Sequence, residues 1–235
     1  MTGLARPILQ LVTDRRRTTP DARTPGDEIA GLERWLDAAI DAGMPLIQIR
    51  ERDLEAAPLV RLVRAVAARA AGTATRVLVN DRVDVAVAAG AGGVHLRGDA
   101  PDAERVRRLL PADAVVGRST HEVDEVEQHA SSCDYLLFGP VHPSASKPAG
   151  WRASGLEALA DAVTAAAGRA PVVAIGGITP ESAPGCAAVG VAGIAGIGLF
   201  LPAAAGGPAG LARLVGALRR ALSTGPPGGD AAPVV

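Results

Sequence analysis

The chain has 235 residues, a length that suits one α/β barrel of ordinary size. Its 24 basic and 25 acidic side chains leave almost no net charge, which argues against nucleic acid or an anionic membrane as a partner. The two cysteines, Cys133 and Cys186, lack the spacing of a metal site and are typical of buried thiols in a reducing compartment. No secretory signal is visible, so we expect a cytoplasmic protein.

Short β-rich segments alternate with helical segments along the chain. The predicted strands are residues 8–13, 46–50, 77–80, 93–96, 115–119, 135–139, 172–175 and 193–198. The predicted helices are residues 28–42, 54–71, 83–89, 102–110, 123–131, 156–167, 180–189 and 211–222. This alternation predicts parallel strands with crossover helices, and eight units predict closure into a single (β/α)₈ TIM barrel over residues 1–222. A doubly wound open sheet is the alternative.

Three further segments need separate interpretations. Residues 15–26 form a polar loop that starts with a basic run, Arg15–Arg17, which we interpret as solvated, and the loop is a candidate lid. Residues 184–212 carry no charge, but repeated glycines favour a helix, a buried strand and a loop over a membrane span. Residues 223–235 are rich in glycine and proline and predict a disordered tail.

Active sites of such barrels form where strands end and the following loops begin. Glycine-rich turns follow the seventh and eighth strands, so their backbone amides can approach an anion closely. The loops after these two strands are also the recurrent phosphate site of the fold. We therefore predict a phosphate cup, with tight turns alone as the alternative, at Gly176, Gly177, Ile197 and Gly198.

The loop after the sixth strand carries hydroxyl groups and a cation. Ser144 and Ser146 can donate hydrogen bonds to phosphate oxygens, and Lys147 is the single lysine of a chain whose other cations are arginines. A compact ammonium in this position indicates an anion ligand, while an ordinary solvated loop is the alternative.

The second strand ends in alternating polar residues. Because side chains alternate along a strand, Gln48, Arg50 and Arg52 point to one side. If that side is the barrel mouth, the two arginines form an anion clamp. Surface arginines paired with helix carboxylates are the alternative.

Strands three to five contribute further candidates. Asp81 and Asp99 follow neighbouring strands and predict a shared Mg²⁺ that also binds a pyrophosphate, although each could instead cap a helix. Ser119 can hydrogen-bond a substrate, and His121 is a candidate acid or base, or a structural histidine at a helix start.

In order along the chain, these motifs resemble those of the thiamine phosphate synthase/TenI family. The resemblance spans nearly the whole barrel and rests on Gln48-Ile49-Arg50-Glu51, Val79-Asn80-Asp81, Gly93-Val94-His95, Ser119-Thr120-His121, Gly139-Pro140, Pro143-Ser144-Ala145-Ser146-Lys147 and Ile175-Gly176-Gly177-Ile178. It implies an enzyme of thiamine biosynthesis, and first of all a transferase. Such a synthase joins hydroxymethylpyrimidine diphosphate to thiazole phosphate and releases pyrophosphate. The resemblance is also compatible with a homodimer.

The resemblance also implies roles for the residues at matching positions. The pyrimidine diphosphate would be held by Gln48, Arg50, Arg52, Asn80, Ser119 and Lys147. The thiazole phosphate would be held by Ser144, Ser146 and the amides near Gly176, Gly177, Ile197 and Gly198. Mg²⁺ would bind Asp81 and Asp99, and the residues expected to act in catalysis are Arg50, Ser119, His121 and Lys147.

Several departures keep other functions open. Arg52 stands where the synthases usually have lysine, and the run Arg97-Gly98-Asp99-Ala100 aligns Asp99 with the metal position only through a one-residue deletion. A TenI-type thiazole tautomerase, metal-independent with His121 as acid or base, is the first alternative. A non-catalytic phosphate-binding paralogue is the second. Another phosphosugar barrel would explain the glycine cup but not Gln48, Arg50 and Lys147 together.

Overall fold

Eight parallel strands close into a barrel with neighbours in chain order, in a computed structural model that describes residues 4–143 and 152–223. The strands are β1 (Ile8–Val12), β2 (Leu46–Ile49), β3 (Arg76–Asn80), β4 (Gly93–Leu96), β5 (Val115–Thr120), β6 (Tyr135–Phe138), β7 (Val172–Ile175) and β8 (Gly193–Gly196). The helices are α1 (Arg15–Thr18), α2 (Pro25–Asp41), α3 (Ala56–Ala70), α4 (Val83–Ala89), α5 (Ala103–Arg107), α6 (Val123–His129), α7 (Gly155–Ala166), α8 (Ala183–Ala188), α9 (Pro202–Ala205) and α10 (Gly207–Ser223). The predicted TIM barrel is confirmed.

The structure differs from the predicted elements in two short helices, α1 and α9, which lie in segments predicted as loops, and in several helix starts. Helix α2 begins at Pro25, before the predicted residue 28, because Thr24 and Asp27 form a reciprocal capping box. Helix α10 begins at Gly207. The uncharged stretch 184–212 divides into α8, β8, a 3₁₀ turn at Gly198–Phe200, α9 and the start of α10, as the interrupting glycines indicated. Ser223 ends α10, and the rest of the predicted tail lies outside the described residues.

The basic run after β1 is not solvated as predicted, because Arg15 is buried. Its guanidinium pairs with Glu28 at 2.7 Å, with Glu51 at 3.1 Å and with Asp53 at 2.6 Å. The hydrogen bond from Arg15 lowers the pKa of Asp53 to about 2. These contacts fasten α1 and α2 to the loop after β2. A sequence pattern cannot distinguish this arrangement from a solvated run, because the acidic partners lie up to 38 residues away.

The strands separate two apolar cores. Inward-facing side chains fill the barrel, and the outward-facing ones pack against the helices. The inner cluster includes Ile8, Leu46, Leu78, Val115, Tyr135, Leu137 and Val173. Both cysteines are buried, as predicted. In the described part of the chain, no helix combines the length and hydropathy that a membrane span requires.

One inward position has to be glycine because Tyr135 fills the centre of the barrel. A Cβ atom added at Gly117 would lie 2.2 Å from two carbons of the Tyr135 ring. Tyr135 is fully buried, so the ring has no free space into which it could move. Gly117 therefore makes room for the aromatic ring on which the polar interior depends.

We expect Gly117→Ala to lower the free energy of unfolding by about 1–3 kcal/mol, the usual cost of overpacking a core. Urea denaturation measures the change. The matched control is Gly26→Ala in α2, where the nearest atom to an added Cβ is Thr24 Oγ1 at 3.6 Å, and we expect a gain of up to about 1 kcal/mol. Equal effects of the two substitutions would show that the barrel centre tolerates the extra carbon.

Candidate active site

A cavity of about 870 Å³ opens at the carboxyl ends of the strands. This is the end at which TIM barrels carry their active sites. Among the predicted site residues, it is lined by Gln48, Arg50, Arg52, Asn80, Asp99, Ser119, His121, Gly176 and Ile197. The structure thus brings together the polar side chains of strands β2 to β5, as the alternation along β2 required.

A second cavity of about 400 Å³ adjoins the first. Its walls include the predicted phosphate cup, Gly176, Gly177, Ile197 and Gly198. A Cβ atom at Gly177 would lie 2.3 Å from the carbonyl oxygen of Pro143, and its φ of +62° is one that glycine adopts freely. The cup residues therefore lie together, and the missing side chain of Gly177 makes room for the backbone of the loop after β6. Ser144, Ser146 and Lys147 lie outside the described residues.

Arg17 lies at the boundary of both cavities and was missed as a site residue. Its Nη2 would lie 3.5 Å from a Cβ added at Gly198 in the glycine cup. Asp14 caps α1 by accepting a hydrogen bond from the Arg17 amide. This short helix directs Arg15 into the fold and Arg17 to the cavities. The sequence signal for this helix was Asp14 as an N-cap residue. That signal alone does not show which of the three arginines is buried, because burial of Arg15 depends on its acidic partners.

Three guanidinium groups at the cavities have no carboxylate partner within the described ranges. Arg17, Arg50 and Arg52 form no ion pair there. Burial and the neighbouring charge of Arg52 lower the pKa of Arg50. The alternative of surface arginines bound to helix carboxylates is therefore wrong for Arg50 and Arg52. Unpaired cations in one concave site favour a ligand with several negative charges.

A chain of hydrogen bonds crosses the barrel beneath the larger cavity. Gln10 Nε2 donates to Gln48 Oε1 at 2.7 Å and to the Tyr135 hydroxyl at 3.1 Å. Gln48 Nε2 donates to Asn80 Oδ1 at 2.9 Å, and Asn80 Nδ2 donates to Asp81 at 3.1 Å. These buried amides have fixed orientations because each is held by its neighbours. Gln10 and Tyr135 were not predicted, since inward polar residues low in a barrel look like ordinary core positions.

His95 extends this chain to Ser119 on the opposite side of the barrel. Its Nδ1 lies 2.8 Å from the Tyr135 hydroxyl and its Nε2 lies 2.9 Å from Ser119 Oγ. Burial, with lesser contributions from Arg118 and Arg50, lowers the pKa of His95 from 6.5 to about 3. Because the Tyr135 hydroxyl oxygen already accepts from Gln10, we assign its proton to His95 Nδ1, and the neutral ring then donates from Nε2 to the serine. The hydroxyl proton of Ser119 is then free to donate into the cavity.

His121 is held by a backbone carbonyl at the rim of the cavity. Its Nδ1 lies 2.6 Å from the carbonyl oxygen of Gly139. A carbonyl can only accept, so Nδ1 carries a proton, and Nε2 is the nitrogen that acts as the acceptor when the ring is neutral. His121 lines the larger cavity, which puts a candidate base at the substrate site.

The two predicted metal ligands are brought near each other, but an arginine lies between them. Arg97 Nε is 2.6 Å from Asp81 Oδ2 and 3.5 Å from Asp99 Oδ1. Neither aspartate caps a helix, because the N-caps of α4 and α5 are Arg82 and Asp102. The helix-cap alternatives are therefore wrong.

The two aspartates differ in their exposure to solvent. The Asp81 side chain is 23% exposed and borders a further cavity of about 370 Å³ that Arg97 also lines, whereas the Asp99 side chain is 74% exposed. No group of three potential metal-binding side chains occurs in residues 4–143 and 152–223. The carboxylates are suitable Mg²⁺ ligands by type, but with Arg97 in this position they do not fit a shared ion, and the predicted Mg²⁺ stays a prediction.

A TIM barrel with two adjoining cavities, glycine turns and unpaired arginines at its catalytic end belongs to the class that binds phosphorylated small molecules. Within that class, the chain belongs to the TMP-TENI family, described as thiamine monophosphate synthase, whose model matches residues 11–200. The family resemblance of the sequence motifs is thereby confirmed.

Individual relatives agree with this assignment. The chain is 42% identical over 168 residues to a thiamine-phosphate synthase of Anaeromyxobacter dehalogenans, which covers 71% of this chain and 74% of the relative. It is 34% identical over 190 residues to a thiamine-phosphate synthase of Chlorobium luteolum, and the match covers 80% of this chain and 82% of that relative. Among solved structures it is similar to a thiamine phosphate pyrophosphorylase from Pyrococcus furiosus, with a TM-score of 0.72 and 26% identity. The match covers 93% of this chain and 96% of that structure.

The neutral state of His95 predicts a pH dependence of stability. The unfolded chain takes up a proton at His95 below about pH 6.5, whereas the folded protein does so only near pH 3. The stability that neutral His95 contributes is therefore present above about pH 6.5 and is lost as the pH falls toward 3. Between pH 7 and pH 5, wild type should lose about 2 kcal/mol more unfolding free energy than His95→Gln, measured by urea denaturation. Parallel pH profiles of the two proteins would mean that folded His95 is protonated.

Proposed function

We propose that this protein is a thiamine phosphate synthase, a transferase that joins hydroxymethylpyrimidine diphosphate to thiazole phosphate. The observation that carries the proposal is the pair of adjoining cavities, which share Arg17, Ile175, Gly176 and Ile197 as a common wall. A joining reaction needs two phosphorylated substrates in contact, and a single-substrate isomerase needs only one anion site. Membership of the family supports the same reaction.

In the proposed reaction a thiazole nitrogen attacks the exocyclic carbon of the pyrimidine. The carbon–oxygen bond to the diphosphate breaks, and its electron pair leaves with pyrophosphate. The unpaired guanidinium groups of Arg50 and Arg52 at the larger cavity suit this developing charge. Ser119 would donate its free hydroxyl proton, and Gln48 and Asn80, held by their mutual hydrogen bond, would orient the pyrimidine diphosphate.

The smaller cavity would hold the thiazole phosphate. Backbone amides near Gly177 and Gly198 are its proposed donors, with Arg17 as the neighbouring cation. Ser144, Ser146 and Lys147 remain proposed ligands on the basis of the family motifs. We further propose that the enzyme works in the cytoplasm and forms a homodimer, as the sequence and its resemblance led us to expect.

The direct test is pyrophosphate release by purified protein supplied with both substrates. We expect one pyrophosphate for each thiamine phosphate formed. Omission of either substrate should abolish release, because transfer needs the acceptor nitrogen as well as the diphosphate. A folded protein that binds thiazole phosphate but releases no pyrophosphate would refute the synthase proposal.

Arg17 and Arg16 provide a matched pair of variants for this assay. Arg17 has no ion pair in the described chain, whereas Arg16 is an exposed neighbour that pairs with Asp53 at 2.6 Å. Arg17→Ala should raise the KM for thiazole phosphate about tenfold, since a hydrogen bond to a charged group contributes about 1.5–3 kcal/mol. Arg16→Ala should leave this KM unchanged. Equal effects of both variants would argue against Arg17 as a phosphate ligand.

The arrangement of His121 favours a second candidate function, a metal-independent thiazole tautomerase. The Gly139 carbonyl fixes the Nδ1 tautomer, so Nε2 can take a proton from a substrate carbon. In that case His121→Gln should lower isomerisation of the thiazole carboxylate phosphate by about 100-fold or more, followed by NMR, and EDTA should not inhibit. Retained isomerisation in His121→Gln, or inhibition by EDTA, would contradict this second function.

A further inference from the structure

The loop between β4 and α5 is fixed by Arg118, which points from β5 toward the helices because its neighbours Gly117 and Ser119 face the barrel interior. This side chain is 1% exposed and lies on β5. Its Nη1 donates to the carbonyl oxygens of Arg97 at 3.2 Å and Gly98 at 2.8 Å. Its Nη2 donates to those of Ala100 at 3.1 Å and of Pro101. A buried guanidinium with four backbone acceptors holds residues 97–101 in one conformation.

This fixed loop brings Arg97 against both carboxylate oxygens of Asp81. The Arg97 amide donates to Oδ1 at 2.8 Å, and its Nε lies 2.6 Å from Oδ2. Asn80 Nδ2 donates to Oδ2 as well, at 3.1 Å. Asp81 itself has φ of +58°, an unfavourable conformation for a side-chain-bearing residue, and the surrounding hydrogen bonds maintain it. Both oxygens of Asp81 are therefore used by neighbours of the same chain.

A divalent cation shared by Asp81 and Asp99 would have to displace this arginine. Mg²⁺ binds its oxygen ligands at about 2.0–2.1 Å in octahedral geometry. Arg97 Nε lies between the two carboxylates, 2.6 Å from Asp81 and 3.5 Å from Asp99. A guanidinium does not lose its proton in proteins, so its charge opposes any cation brought to the same point.

We infer that Arg97 is the resident cation of the Asp81–Asp99 pair and excludes a divalent cation from it in the free protein. The positive charge between these carboxylates is then part of the polypeptide, on a loop whose backbone Arg118 fixes. Because Arg97 also lines the larger cavity, it is a positioned cation at the edge of the anion site. This inference concerns metal binding by the protein alone, so it holds or fails independently of the proposed synthase activity.

The experiment is a titration with Mn²⁺, a hard cation that takes the same oxygen ligands as Mg²⁺, followed by the EPR signal of the free ion. Wild type should bind weakly, and Arg97→Ala should bind one Mn²⁺ at least about tenfold more tightly, because a competing charge has been removed. The double variant Arg97→Ala with Asp81→Asn should lose this gain. Wild-type affinity equal to that of Arg97→Ala, or a gain that persists without the Asp81 carboxylate, would overturn the inference.

Two further variants separate the local effect from a general change in charge. Arg64 is an exposed arginine of α3 that donates to the carbonyl oxygen of Ala88 at 2.7 Å, so its removal changes the net charge without freeing a carboxylate of the described residues. Arg64→Ala should keep the weak wild-type affinity, and so should Arg97→Lys, which retains a cation at the site. If Arg97→Ala does not give a cooperative thermal transition, Arg97→Gln takes its place with the same expectation. Tighter Mn²⁺ binding by Arg64→Ala would contradict a site-specific exclusion.

Discussion

The hydrogen-bond chain through the barrel interior is the constraint on which the arrangement of the site depends. A closed barrel of this size is filled by side chains, and buried polar groups must find partners there. Tyr135 provides the central partner, because its hydroxyl group accepts a hydrogen bond from Gln10 on one side and contacts the His95 ring on the other. From this point the chain reaches Ser119 on β5 and, through Gln48, Asn80 on β3. Each polar group at the cavity floor is thereby oriented before any ligand arrives.

The arginines divide into two groups according to the acceptors that the fold places around them. Arg15 and Arg118 are almost fully buried, and carboxylates surround the guanidinium of Arg15 while four backbone carbonyls accept from that of Arg118. They fasten the loops after β1 and β4, respectively. Arg17, Arg50 and Arg52 end in the cavities with no such acceptors in the described chain. Structural and functional cations therefore differ in their surroundings, since the residue type is the same in both groups.

This division also explains which features could be predicted from sequence. The eight strands and the cavity residues of β2 and β5 follow from alternation and from strand ends, which are local properties. Arg15 is buried in ion pairs whereas Arg17 faces the cavities, and this difference depends on Glu51 and Asp53, which lie near Arg15 only in the closed barrel. Likewise, nothing next to Asp99 in the sequence indicates that Arg97 will turn toward Asp81, because Arg118, on the next strand, sets that loop. Local patterns thus predicted the strands and helices, whereas contacts between residues far apart in sequence determine which charged side chains are paired and which face the cavities.

Cations that belong to the polypeptide have consequences for the proposed chemistry that a mobile ion would not have. The guanidinium groups of Arg50 and Arg52 are attached to the chain and already line the cavity when charge develops on a leaving pyrophosphate, and positive charge placed in advance lowers a barrier. The same attachment means that the product cannot carry its counter-cations away. Release must instead break each contact with Arg50, Arg52 and their neighbours in turn. Burial lowers the pKa of Arg50 by disfavouring its charge, so an anion bound beside this side chain offsets part of that cost. In the proposed reaction, the contacts that stabilise the leaving group are therefore the same contacts that the released pyrophosphate has to break.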